Sequence, residues 1–343
     1  MGMNDVEVVL VGLGALGRQL AKFALQKEGL RVVGASDLTG DGKDLGEFLG
    51  LGRHVGVSVT KDLNELLSAT EADLVIQATS SYLRDTYPQV MACVEAGLNV
   101  VSTCEELSFP YHKYPELSDR IDAAAKENAV TVLGTGINPG YLMDTLPIVL
   151  SAPCTSLRRI RITRMMYSGN RRSSFQKKIG TGLTQQEFEK LIADHQITGH
   201  VGLVESVAML SAATGLLVDE IKELPPEGVI SEVDVKTTYT EVRKGHIAGL
   251  RSVAVGTRNG KNVITLEFVS NANVRRPYDE IEIDGEPSIK QRIRGGVHGD
   301  QGTIGMVFNA IPKVLNAAPG LVTTIDLPLA SAATGDLRKY INW

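Results

Sequence analysis

Two adjacent carboxylates, Glu105 and Glu106, follow the apolar run Leu98 to Thr103 in the segment Cys104-Glu105-Glu106-Leu107-Ser108-Phe109-Pro110. A glutamate at the carboxyl end of a strand can hold a cationic amine, activate a water and shuttle protons at a carbinolamine or iminium carbon. For that work its pKa must be raised towards neutrality by burial. One of two neighbouring side chains can enter a cleft while the other turns away, and the same pair also reads as two solvated loop charges. Cys104 could act as a nucleophile, but two adjacent carboxylates raise a thiol's pKa and disfavour the thiolate. His298 lies in the glycine-rich run Gly295 to Gly302, which can approach a ligand closely; a surface histidine is an equal reading. No set of His, Cys, Asp and Glu has metal-ligand spacing, so no metal is expected.

A second chemical signature stands near the start. In VVLVGLGALG, Val8 to Gly17, an apolar run leads into Gly12, Gly14 and Gly17, and an amphipathic pattern follows. Strand, G-x-G-x-x-G turn and helix together form a pyrophosphate cradle. Gly12 permits the tight turn, Gly14 lets backbone approach the phosphates, and Gly17 lets helix and strand pack closely. Ala15 and Leu16 complete the turn, and the helix N-terminus supplies unpaired N–H groups. Asp37 ends the next apolar run, about 20 residues on, where an acidic residue meets the adenosine ribose in this fold. A carboxylate there accepts bonds from both hydroxyls and repels a 2′-phosphate, so NAD is the expected cofactor. Lys43 and Arg53 lie close enough in sequence to leave NADP open. Thr79, Ser80 and Ser81 follow the run Asp73 to Ala78, and Thr103 ends the next. Hydroxyls at strand ends suit a cofactor, although Ser and Thr also serve as ordinary helix caps.

The elements that must position these residues follow from periodicity. From residue 6 to 134 short apolar runs alternate with helical patterns, including Asp85 to Ala96 and Glu116 to Lys126. That alternation predicts a Rossmann-type α/β domain with a parallel sheet. Val55 to Val59 reads as one of its strands. Beyond Gly140 the pattern changes. Tyr141 to Leu150 reads as a helix, Leu157 to Tyr167 as a strand, and the polar, basic Ser168 to Gly182 as a mobile loop. Thr184 with Glu187 forms a capping box opening a helix to Asp194, and Val201 to Thr214 is a further helix. The period then drops to two through Val229 to Val242, Ile247 to Thr257 and Asn262 to Val269. Asn259-Gly260 and Asp284-Gly285 mark hairpins. The second domain is therefore α+β with a mainly antiparallel sheet. Thr303 to Asn316 is almost wholly apolar and is expected to be buried between domains. The expected division is 1–138 for the dinucleotide, 139–302 for substrate and dimerisation, and 303–343 as a returning C-terminal segment.

The bulk properties narrow the class. A chain of 343 residues exceeds what one core commonly serves. Its 43% hydrophobic and 22% charged content is that of an ordinary globular protein. A net charge of -5 gives no general attraction to nucleic acid or an anionic membrane. Three scattered cysteines argue against a disulfide framework and for a reducing compartment. The start, MGMNDVEVV, has no basic region followed by an apolar core, and no run reaches a membrane-spanning length. A cytoplasmic protein acting on a small molecule is the expectation.

Several motifs carry a family resemblance. GLGALG at Gly12 to Gly17, QATSSY at Gln77 to Tyr82, NVVSTCEEL at Asn99 to Leu107 and GTGINPGYLMD at Gly134 to Asp144 resemble the 2,4-diaminopentanoate dehydrogenases and the related native amine dehydrogenases. GHVGLVES at Gly199 to Ser206 and NAIPKVLNAAPGLVTTIDLP at Asn309 to Pro328 extend the resemblance over nearly the whole chain. It implies a fold similar to dihydrodipicolinate reductase, NAD or NADP as cofactor, and reversible oxidative deamination of an amine to a carbonyl compound and ammonia. It also implies a catalytic carboxylate in the CEEL motif, on Glu105 with Glu106 the close second. By the same resemblance Asn138 to Gly140 lie beside the nicotinamide, and the protein is a homodimer.

The His-His-x-x-Lys-x-Asp-x-Pro-Ser-Gly-Thr segment of true dihydrodipicolinate reductases is absent, which disfavours that reaction. A diamino acid substrate would need a carboxylate anchor from Arg161, Arg164, Arg171 or Arg172. A simple amine would need an apolar pocket, for which Ile137, Met165, Met166 and Tyr167 are candidates, with His298 a further substrate candidate. Two readings stay open: an imine or C=C reductase, and a nucleotide-sensing protein without catalysis.

Overall fold

A computed structural model describes residues 4–342, so the first residues of the MGMNDVEVV start lie outside it. The chain forms two compact units, one built from residues up to Tyr141 and from Gly299 onward, the other from Leu142–His298.

The first unit alternates strand and helix: β1 (Val6–Val11), α1 (Gly17–Ala24), β2 (Leu30–Ser36), α2 (Leu45–Phe48), β3 (Val59–Thr60), α3 (Leu63–Ala69), β4 (Leu74–Gln77), α4 (Leu83–Glu95), β5 (Asn99–Ser102), α5 (Pro115–Glu127) and β6 (Thr131–Gly134). A 3-10 turn, Glu105–Ser108, follows β5. After the second unit the chain returns as α10 (Gly299–Leu315) and β16 (Gly320–Val322). All seven strands are parallel, in the order β16-β6-β5-β4-β1-β2-β3. A parallel sheet is covered on both faces, which is why β1 and β4 are apolar at almost every position rather than alternating. Val8 and Leu10 pack with Leu20 of α1 and Phe308 of α10. Val9 and Val11 pack on the other side, with Val90 of α4 and Ile121 of α5. The order reverses between β1 and β4, and ligands bind at such a switch point, beyond the strands' carboxyl ends.

The second unit comprises α6 (Thr145–Ser151), β7 (Ser156–Tyr167), α7 (Ser173–Lys178), α8 (Gln185–Ala193), α9 (Leu203–Thr214), β8 (Glu220–Glu223), β9 (Glu227–Ile230), β10 (Val235–Lys236), β11 (Glu241–Val242), β12 (Ile247–Arg258), β13 (Lys261–Asn271), β14 (Tyr278–Glu286) and β15 (Ile289–Arg294). Its main sheet runs β15-β14-β7-β13-β12-β8, antiparallel except where β7 and β13 lie parallel. Ile160, Ile162 and Arg164 alternate inward along β7, while Arg159 and Arg161 face out. The outer face carries lateral ion pairs, among them Arg161–Glu267–Arg251–Glu227.

Several local expectations shift. The third strand is only Val59–Thr60, because the segment before it is tied to Asp44, whose carboxylate accepts the Val55 and Gly56 N–H groups. α6 begins at Thr145, where Asp144 caps the helix. The loop Ser168 to Gly182 contains α7 and is pinned by buried Gln176, whose amide donates to the carbonyls of Ser168, Gly169 and Arg171. Val229 to Val242 breaks into three short strands, since the Thr237 hydroxyl accepts from Thr240 N–H and closes a tight turn. Asn259-Gly260 does turn the chain, with positive φ at both residues. Asp284-Gly285 does not turn: β14 pairs with β7 through that dipeptide as far as Glu286, so the bend falls at Pro287-Ser288. α10 starts at Gly299, four residues before the apolar pattern, and packs within the first unit against β5, β6 and α1. Among the described residues no helix is long and apolar enough to cross a membrane.

Candidate active site

At the carboxyl edge of the parallel sheet the glycine turn and the end of β4 are in contact. A Cβ on Gly12, which has φ of 88°, would lie 2.7 Å from the Ala78 carbonyl oxygen and from Thr79 Cγ2. A Cβ on Gly17 would overlap the Gly12 carbonyl, so both glycines are required by close packing. Gly14 is different: nothing lies within 4 Å of a Cβ built there. The middle glycine thus presents open backbone beside α1, with Ala15 and Leu16 leading into the helix. That is the shape a pyrophosphate requires.

Asp37 completes this end. Its Oδ2 accepts the Leu13 N–H at 2.7 Å, and its Oδ1 accepts the Thr39 N–H at 2.9 Å and hydroxyl at 2.7 Å. Burial pushes the carboxyl up, but these bonds and the charge of Arg18 outweigh it and hold the pKa below the ordinary carboxylate value. Arg18 donates to the Phe48 carbonyl at 2.6 Å and stands 4.1 Å from that ring's centre.

The other end of the edge is built by a hydrogen-bond chain. Thr79 and Gln77 both donate to Gln89 Oε1, Ser102 donates to Gln77 Oε1, and Cys104 N–H donates to the Ser102 hydroxyl. Thr103 N–H donates to the Gln77 carbonyl. Ser80 is engaged locally, donating to Asp85 and accepting from Tyr82 N–H at the start of α4. Ser81 offers its carbonyl to Glu106 N–H and to the Cys104 thiol. Burial, with Glu105 and Glu106 as smaller contributors, pushes Cys104 up to about 12, so its thiol stays protonated.

The two glutamates separate sharply. Glu106 is 0% exposed. Its Oε2 accepts the Leu83 N–H at 2.7 Å, at the N-terminus of α4, and its Oε1 accepts from Lys113 and from the Tyr114 hydroxyl. Glu105, the first residue of the 3-10 turn, is only partly buried. The turn is seated against β6, because a Cβ on Gly134 would overlap the backbone of Leu107. Ile137 and Asn138 follow β6, both largely buried, with Ile137 N–H bonded to the Thr303 hydroxyl of α10 at 3.3 Å.

In the second unit, Met166 and Tyr167 are consecutive on β7 and so face opposite sides of the sheet, Met166 on the side of Arg164. Arg164 is 1% exposed, donates to the Val297 carbonyl at 2.7 Å, and pairs with Asp279 at 3.6 Å. Asp279 also accepts the Val297 N–H, so the pair holds the residue before His298, which is itself exposed. Burial, partly offset by Arg164, raises the Asp279 pKa. His200 lies edge-on to Phe268 at 4.2 Å; desolvation, Lys178 and Arg164 push its pKa down to about 3, leaving it neutral. Among the described residues no three His, Cys, Asp or Glu side chains cluster to hold a metal ion.

Sequence reasoning missed Lys113, Tyr114, Gln77, Gln89 and Asp279. Apart from Gln77, which opens the QATSSY motif, none has a motif or a period; only their contacts reveal them. The one available signal was the pair of amides Gln77 and Gln89, polar residues in segments otherwise reading as buried.

Comparisons with known proteins show the family. Residues 6–106 match the dihydrodipicolinate reductase N-terminus, and residues 141–343 match the 2,4-diaminopentanoate dehydrogenase C-terminal domain. The chain is 33% identical to the 2,4-diaminopentanoate dehydrogenase of Acetoanaerobium sticklandii, over 99% of this chain and 98% of that protein. It is 25% identical to an amine dehydrogenase of Streptomyces virginiae, over 85% of this chain and 87% of the other. The structure of the amine dehydrogenase from Mycobacterium smegmatis superposes with a TM-score of 0.83 at 28% identity, covering 97% of this chain and 98% of that one. A nicotinamide-binding sheet, a matching C-terminal domain and similarity over the full length thus place this chain in the 2,4-diaminopentanoate dehydrogenase family of oxidoreductases.

Proposed function

We propose that the protein is an amine dehydrogenase that reversibly converts an amine to a carbonyl compound and ammonia, with Glu105 as the catalytic carboxylate. The observation that carries the assignment is the division of labour at the CEEL turn: Glu106 is enclosed by three donors, and Glu105 beside it stays partly exposed at the sheet edge.

The glycine turn and Asp37 fit a dinucleotide, Gly14 through its open backbone and Asp37 as an oriented, ionised acceptor. The ionised Asp37 favours NAD, since it repels a 2′-phosphate. Thr79, Ser81, Thr103 and Asn138 would line the cofactor's path. When bound, the nicotinamide accepts hydride from the amine carbon and returns it in the reverse direction. Glu105, as a base, takes the proton of the substrate ammonium and releases it to solvent, and then takes a proton from the water that adds to the iminium carbon. As an acid it returns a proton to the nitrogen that leaves the carbinolamine as ammonia.

The substrate we favour is a 2,4-diamino acid. Arg161 is an unsuitable anchor for its carboxylate, because it faces outward and pairs with Glu267. Arg164, Arg171 and Arg172 remain, with Ile137, Met166, Tyr167 and His298 as candidates for the rest of the pocket. A homodimer in the cytoplasm belongs to the same reading, and light scattering on the purified protein checks the dimer.

NADH oxidation with a panel of ketones, with and without ammonium, tests the function. The expected result is turnover only with ammonium. Equal rates without it would replace this reading by a carbonyl or imine reductase.

A further inference from the structure

We propose that Glu106 and Lys113 form a positioning pair that clamps the Glu105 turn and sets the charge Glu105 experiences. The inference rests on the reading of Glu105 as the catalytic carboxylate.

The Glu106 carboxylate joins three segments that meet at the sheet edge. Through Leu83 N–H it holds the start of α4. Through Lys113 and the Tyr114 hydroxyl it holds the segment that leads into α5. Its own N–H reaches back to the Ser81 carbonyl, in the loop after β4. Leu107, 0% exposed, and the contact with Gly134 seat the same turn on β6. Glu105 therefore has neighbours fixed on both sides, and little of its backbone is free to move.

The pair also has an electrostatic role. A buried carboxylate next in sequence to Glu105 would disfavour its ionisation by like-charge repulsion. Lys113, whose side chain is 45% exposed, balances that charge. Titratable groups near the turn include Cys104, Tyr82, Tyr114, Arg84, which stands 5.6 Å from the Tyr114 ring centre, and Asp85, which is bonded to Ser80. β6 contributes none, being Thr131-Val132-Leu133-Gly134. Removing either member of the pair leaves an unbalanced charge of opposite sign, so the two removals act in opposite directions on Glu105. A purely structural contact has no such sign.

The test is the pH dependence of kcat/KM for the deamination direction in the wild type, Glu106→Gln and Lys113→Gln. Glu106→Gln keeps the shape of the side chain and leaves the Lys113 cation, so the acid limb moves to lower pH. Lys113→Gln removes the cation and leaves Glu106 with the Leu83 N–H and the Tyr114 hydroxyl, so the limb moves to higher pH. Each shift is expected to be about half a pH unit or more. Shifts in the same direction, or none in folded variants that still bind NADH, overturn the proposal. If Glu106→Gln does not fold, Lys113→Gln decides alone, because the lysine side chain is only partly buried: an upward shift supports the pair and an unmoved limb rejects it. Glu105→Gln separates the two readings. Retained turnover there rejects Glu105 as the catalytic group, whereas lost turnover with unmoved limbs rejects only the positioning pair.

Discussion

Asp37 and Leu13 are joined by a hydrogen bond of 2.7 Å from the Leu13 amide to the Asp37 carboxylate. The residue that would meet the ribose is thus held by the same turn that would meet the phosphates, and the two ends of one binding surface are a single unit.

Substituting Asp37 should therefore change both affinity and cofactor choice. Asp37→Asn removes a charged acceptor worth about 1.5–3 kcal/mol, or roughly 10-fold to 100-fold in kcat/KM for NADH. NADPH should be affected less, because the repulsion of its 2′-phosphate is relieved. Steady-state kinetics with both cofactors check this. The folded pKa is depressed, so the stabilisation by this group is present above its unfolded value and is lost only as pH falls through the folded one. Urea titrations should show no contribution from Asp37 to pH dependence across the neutral range.

Glu105→Gln should lower turnover by about 100-fold to 10,000-fold, the usual range for a general acid–base group. NADH binding, followed by fluorescence, should stay within about threefold, since cofactor affinity is assigned to the glycine turn and Asp37.

Gly134→Ala should cost activity and stability together. The added methyl would overlap the Leu107 backbone, and relief requires the whole CEEL turn to move. A loss of about 1–3 kcal/mol, typical of overpacking, should appear in urea unfolding, with a fall in kcat larger than any change in NADH affinity.

Cys104 should be inert. With its pKa pushed up to about 12 by burial, less than about one part in a thousand is thiolate at pH 8. Alkylation at pH 8 should modify the less buried Cys154 first, and Cys104→Ala should retain turnover within a few-fold. Rapid inactivation by iodoacetamide, traced to Cys104 by mass spectrometry, would contradict the assignment.

Much of the first unit was legible because its signals are local. Gly12 and Gly17 are demanded by close packing at the turn, Gly14 leaves its backbone open, and the apolar runs of β1 and β4 follow from burial on both faces. The second unit was harder to read. Asp284-Gly285 carries a strong turn signal, yet β14 runs through it because pairing with β7 outweighs the preference of two residues. Val229 to Val242 has strand character, yet the Thr237 hydroxyl closes a turn inside it.

The CEEL turn marks the boundary between the two kinds of information. The sequence by itself determined that two carboxylates stand at the end of a strand in a nucleotide-binding sheet, because strand period and glycine spacing act over a few residues. Only the tertiary structure decided which of them is enclosed. That choice depends on Leu83, Lys113 and Tyr114, which bring an amide, an ammonium and a hydroxyl to Glu106. Burying a carboxylate demands such partners, and only the folded chain brings them to Glu106.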